Sequence, residues 1–213
     1  MTDRPKTEDL IRALAASPPP PALTGAGIAW PMLGGLAVTV GAALAVIGLR
    51  PDLGAALMLP QVAAKTVLPL VLAVLALVLA LRSARPGRRL RAGWLTGPAA
   101  AALALFLQGL AQTPSGALLP AIMGHSAAAC LMAITALSAP AIALGLWAAR
   151  RGAPLRPGLT GGLIGMAASA GAAAGYALHC TEDSPLFFTT WYGLAIVIGT
   201  AIGALAGRRV LRW

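Results

Sequence analysis

The feature that most limits how this chain folds is a succession of apolar runs separated by short polar breaks. They fall at 28–49, 62–82, 94–112, 124–149, 159–178 and 187–207. About twenty apolar residues in a helix cross a hydrocarbon core of ~30 Å. Inside lipid a helix satisfies its own backbone hydrogen bonds, which an isolated strand does not. A β-barrel would need short strands of alternating polarity, and these runs are apolar all round. The chain therefore reads as an all-α integral membrane protein with a bundle of six transmembrane helices. Its charged fraction agrees: 10% of the residues, against about a quarter in a soluble domain.

The net charge of +10 would fit a nucleic-acid binder if the charges were spread over one surface. Instead they cluster between the apolar runs, as topogenic charges do, so we expect lipid headgroups as partners and no direct nucleic-acid binding. Arg4, Lys6 and Arg12 precede the first run, and Arg82, Arg85, Arg88, Arg89 and Arg91 separate the second from the third. Arg150, Arg151 and Arg156 separate the fourth from the fifth, and Arg208, Arg209 and Arg212 follow the sixth. The other side has only Arg50 and Lys65. The positive-inside rule then places both termini in the cytoplasm and three hairpins outside. No segment resembles a cleaved signal peptide.

Residues 1–24 read as a cytoplasmic head and linker, and 25–213 as the membrane domain. Thr7 with Glu8 and Asp9 marks a helix start, with a hydroxyl cap and acids at the positive end of the dipole. Leu10, Ile11 and Leu14 then share one face, and the prolines Pro18 to Pro21 form a stiff extended spacer. A helix of about ten residues is marginal alone in water, so its apolar face calls for a partner.

The stretch 178–194 concentrates the chain's polar chemistry: His179, Cys180, Glu182 and Asp183, with Phe187, Phe188, Trp191 and Tyr192 behind them. About twenty residues back from Arg150 lies Cys130, which puts both cysteines at similar depth near the outer boundary. His125 lies just beyond Cys130. Three readings of the cysteines stand side by side. They form a disulfide between the second and third outer hairpins, in a compartment that permits one; they act with His125 or His179 as a soft-metal or redox sensor; or they are small core residues. Five helical residues separate His125 from Cys130, about 140° in direction, so the two meet only if the helix begins after His125 or bends. Glu182 and Asp183 read as a solvated turn, the aromatics as an interface belt, and Lys65 as a snorkelling cation.

No run carries a central ionisable residue of the kind that ion-coupled devices display, and no nucleophile–base pair, phosphate loop or zinc-protease motif is present. We expect no enzyme. Gly199, Gly203 and Gly207 in the last run, and Gly161, Gly165 and Ser169 in the fifth, recur every four residues; we read both stripes as helix packing.

Several motifs together resemble those of the NrsF-type membrane-bound anti-sigma factors of bacteria. They are Thr7-Glu8-Asp9-Leu10-Ile11-Arg12-Ala13-Leu14, Gly48-Leu49-Arg50-Pro51-Asp52-Leu53, the 150–157 loop Arg-Arg-Gly-Ala-Pro-Leu-Arg-Pro, and His179-Cys180-Thr181-Glu182-Asp183-Ser184-Pro185-Leu186-Phe187 with Trp191. The resemblance implies a six-helix protein of the bacterial inner membrane whose N-terminal segment holds an extracytoplasmic-function sigma factor inactive. It also implies release by a metal or oxidative signal at two outer cysteines, whose positions Cys130 and Cys180 match. Leu10, Ile11 and Leu14 would then bind the sigma factor, with Cys130, Cys180, His125 and His179 near the signal. No cofactor is obligatory; copper, cadmium or zinc held by Cys130 and Cys180 would be the signal rather than a resident ion. The rival class is a small transporter or channel-like subunit.

Overall fold

The structure, a computed structural model, describes residues 7–17, 24–85 and 89–212. Arg4, Lys6, Arg88 and the proline run lie outside the described residues. Every regular element among those described is helical. The short head helix α1 spans Thr7–Ala16, and six long helices follow: α2 (Gly25–Ile47), α4 (Pro60–Ser83), α5 (Thr96–Gln112), α7 (Ala127–Ala149), α8 (Pro157–Tyr176) and α9 (Pro185–Val210). Two short turns of helix, α3 (Leu53–Ala56) and α6 (Leu118–Met123), lie in the connections. The long helices start and stop within about three residues of the expected runs, because prolines or turn formers punctuate them. Pro60, Pro157 and Pro185 open α4, α8 and α9 at positions where a missing N–H costs nothing. Gly48 closes α2 at φ +80°, a conformation that L side chains rarely adopt.

Among the described residues five stretches are long and apolar enough to cross a membrane, and they contain α2, α4, α5, α7 and α9. Their outward faces carry Val38, Val46, Leu103 and Val197, each more than half exposed. So much apolar surface is at home in lipid, not in water. The remaining long helix, α8, has twenty residues, fourteen of them buried. Its glycines and alanines are only weakly apolar because it faces protein on nearly every side, packing on α9, α4 and α7.

The two small-residue stripes face each other. A Cβ on Gly161 would run into the Gly203 carbonyl oxygen, and one on Gly165 into that of Gly199. One on Gly207 would lie 2.7 Å from the Pro157 carbonyl oxygen and 2.8 Å from the Gly161 Cα. The reading as packing is therefore correct: α8 and α9 touch backbone to backbone, as small residues allow.

The helices run alternately up and down. One end of the bundle gathers Arg85 beside Gly25 and Arg208 beside Gly158, over an apolar core that includes Met32, Leu79, Leu146 and Ile164. The other end gathers Cys130, Cys180, Tyr176, Phe187 and Tyr192 in a second core.

Candidate functional site

α7 begins at Ala127, α8 has ended by Tyr176, and the chain between α8 and α9 folds back over both. This sets the Cys130 and Cys180 thiols 3.8 Å apart, Sγ to Sγ, with Ser126 Oγ 3.4 Å from the Cys130 sulfur. Both thiols are free and almost wholly enclosed. A disulfide bond is ~2.0 Å long, so a small side-chain movement separates contact from bonding.

The aromatics above the pair are not an interface belt. Phe187, Phe188 and Tyr192 are buried, and Tyr192 packs edge-on to Tyr176 with ring centroids 6.5 Å apart. They turn inward because the alanines at this end of α8, Ala170, Ala172 and Ala173, leave volume that only large rings fill. Trp191 is tethered at the rim, its Nε1 donating to the Ile122 carbonyl at 2.8 Å. Gly124, at φ +52°, admits the Phe187 ring where a Cβ would lie 2.6 Å from it.

Nor are Glu182 and Asp183 a solvated turn. The Asp183 carboxylate accepts from Arg50 Nη1 at 2.8 Å and Nη2 at 3.0 Å, and from Lys65 Nζ at 2.9 Å. Arg50 also holds Asp52 through Nε at 2.8 Å and Nη2 at 3.0 Å. Glu182 accepts the His125 backbone N–H at 2.7 Å. Lys65 does not snorkel: its side chain is fully enclosed, and it also donates to the Cys180 carbonyl at 2.6 Å and the Glu182 carbonyl at 3.0 Å. It lies in the second turn of α4, facing a protein segment whose acceptors take the place of water.

Electrostatics follow from these contacts. Burial alone would raise the Asp183 carboxyl, but hydrogen bonds from Arg50 and Lys65 outweigh it and hold the group below the usual range. Arg50 is raised above its ordinary value, first by its hydrogen bonds to Asp52 and then by those to Asp183. The Cys180 thiol is lowered, first by its contact with the Cys130 thiol, against the opposing effect of its burial, and then with help from the Glu182 backbone and the Lys65 charge.

The two histidines do not join the thiols. Although α7 begins after His125, that side chain is fully exposed, with Nδ1 3.5 Å from Glu182 Oε1. His179 Nδ1 lies 2.9 Å from the Gly48 carbonyl, an acceptor, which places a proton on Nδ1. No group of three His, Cys, Asp or Glu side chains with metal-binding spacing occurs among the described residues. Leu10, Ile11 and Leu14 are exposed on α1, beside an exposed Arg12–Asp9 pair at 3.7 Å.

Sequence reasoning missed Arg50, Lys65 and Asp183 as a unit. A signal was present: every acid beyond the head, Asp52, Glu182 and Asp183, falls on the same side as the only two cations there.

The chain was also compared with known proteins. A family model described as "Negative regulator of sigma F" matches residues 13–213. The "Anti-sigma-F factor NrsF" of Caulobacter vibrioides is 37% identical, aligned over 98% of this chain and 100% of its own length. The "Probable anti-sigma-F factor NrsF" of Azospira oryzae is 34% identical over the same shares. No solved structure matches. The match takes in all six long helices and the thiol site, and the family is one of regulators, not enzymes. The chain belongs to the NrsF family.

Proposed function

We propose that this protein is a membrane-bound anti-sigma factor: it holds a sigma factor of the extracytoplasmic-function type inactive at the bacterial inner membrane and releases it on an outside signal. The observation that carries the reading is the full-length relation to proteins named for regulating sigma F. In this account residues 1–24 are the cytoplasmic head, and 25–213 cross the membrane six times with both termini inside. α8 is the sixth crossing: twenty residues of helix span about 30 Å, and its neighbours shield its weakly apolar surface from lipid. The head docks by the exposed apolar face of Leu10, Ile11 and Leu14, laid into a groove of the sigma factor.

The signal end is the thiol pair. Two thiols in contact can form a disulfide by losing two electrons and two protons, or grip a soft ion between two thiolates. Copper and cadmium suit two sulfurs, and zinc would need further ligands. His125 faces outward and His179 is engaged with Gly48, so the contact geometry favours dithiol–disulfide chemistry. Either event changes how α7 meets the end of α8, and α7 and α8 are joined again at the arginine end by 150–156. Release requires that the signal and the sigma factor favour different arrangements of these helices.

The test is to change Leu10 and Leu14 to Asp together and purify the protein from membranes. The expected result is normal insertion and loss of the co-purifying sigma factor. Retention of the sigma factor by a normally expressed double variant would overturn the docking surface.

A further inference from the structure

Among the described residues no charged side chain is more enclosed than Lys65, at 0% exposure. It projects from a face of α4 whose other buried residues are apolar, Val62, Pro69, Ala76 and Leu79 among them. An apolar side chain would fill this volume without the cost of dehydrating an ammonium, and such replacements are often stabilising. Stability alone therefore does not account for a lysine here. Its bonds do: three protons meet three acceptors, the Cys180 carbonyl, the Glu182 carbonyl and the Asp183 carboxylate. All lie within three residues of the Cys180 thiol, and two are backbone atoms, so the ammonium fixes the path of the chain at Cys180. Arg50 supports the same path from α2's side, through Asp183 and through its backbone N–H to the Leu178 carbonyl at 3.1 Å.

We propose that Lys65 is the positioning residue of the thiol pair: its buried ammonium holds the backbone so that the Cys180 sulfur meets Cys130, and makes Cys180 the thiol that reacts first. The proposal deepens the reading of the pair as the signal end. It gives the two sulfurs unequal roles, with Cys180 attacking and Cys130 resolving. With a diazene oxidant such as diamide, the Cys180 thiolate adds to the N=N bond. The Cys130 sulfur then attacks the Cys180 sulfur, an S–S bond forms, and the S–N bond breaks. The hydrazine leaves with the two electrons and the two thiol protons. A thiolate near a cation is the better attacking group, and the Lys65 ammonium in the second turn of α4, bonded to the carbonyl of Cys180 itself at 2.6 Å, is that cation.

The experiment uses the full chain in detergent micelles, with no sigma factor, and N-ethylmaleimide as the probe. Peptide mass spectrometry gives the labelling rate at each cysteine, and diamide gives the rate of Cys130–Cys180 bonding. In the unaltered protein Cys180 should label first, by roughly ten-fold. Lys65→Met should bring the two rates close to parity and slow disulfide formation by a similar factor. Lys65→Gln, which keeps donors without the charge, should also lose the preference even if Lys65→Met does not fold. Lys65→Arg should restore part of it. Val62→Ala, which loosens the same helix and leaves the cation, should keep it. A preference and bonding rate unchanged in Lys65→Gln, or lost equally in Val62→Ala, would overturn the proposal. Because no sigma factor is present, failure of the anti-sigma reading would leave this result standing, and the reverse holds too.

Discussion

The two ends of this bundle solve the problem of polar groups in opposite ways. At the thiol end, Arg50 and Lys65 are buried and every carboxylate nearby is engaged, so three connections are stitched together by directed bonds. At the arginine end the cations are more numerous and mostly exposed. None forms an ion pair with a side-chain carboxylate among the described residues; Arg82 and Arg151 instead lie over Trp94 and Trp147, 4.7 and 4.8 Å from the ring centroids. The core beneath them is apolar. The thiol end has few alternative arrangements, because moving one connection breaks several bonds at once. The other is held by shape instead of charge, through the backbone contact of α8 with α9 at Gly161, Gly203 and Gly207.

The largest break in that contrast should come from Asp183→Ala. It removes the shared acceptor of two buried cations and should destabilise the protein by about 3 kcal/mol, the low end of the range for a broken buried pair, since 25% of the aspartate side chain is exposed. Thermal unfolding in detergent checks it. An Asp183→Ala protein as stable as the original would mean that the cations find water and that the two ends do not differ.

A second, graded effect should appear with acid. The Asp183 carboxyl is held below its ordinary value in the folded protein, so its contribution is fully present above the unfolded value of about 3.9 and fades as pH falls through the folded one. Unfolding temperature should be flat from about pH 7 to 5 and fall below about pH 4, and Asp183→Asn should flatten that fall. Loss of stability already between pH 7 and 5 would point to another group.

The smallest effect belongs to the arginine end. Arg151→Ala should cost no more than about 0.5–1 kcal/mol, the value of an exposed cation over an aromatic ring. A loss as large as that of Asp183→Ala would erase the distinction between the ends.

The sequence made the spans legible because lipid forces apolar length on them, and the glycine stripes legible because close helix contact leaves no room for a Cβ. It made the polar site only half legible. Residues 178–194 stand out by composition, and equal depth brings Cys130 and Cys180 together. Phe187, Tyr192, Lys65 and Asp183 were misread for one reason: rules for aromatic belts, snorkelling and solvated turns assume water or headgroups at the end of a span. Here the hairpins themselves cover that end, so these groups face protein. The central place of α8 was hidden in the same way, since a helix screened by its neighbours needs little hydrophobicity of its own.

In the proposed mechanism, chemistry at the thiol pair reaches the head. The most direct measurement is sigma-factor retention by the full chain in liposomes, before and after diamide closes the Cys130–Cys180 bond. Closure should release the sigma factor, Cys130→Ser and Cys180→Ser should each abolish the diamide effect, and the double variant should behave like either single one, because two atoms of one bond do not add. Unchanged retention with the disulfide fully formed would contradict it.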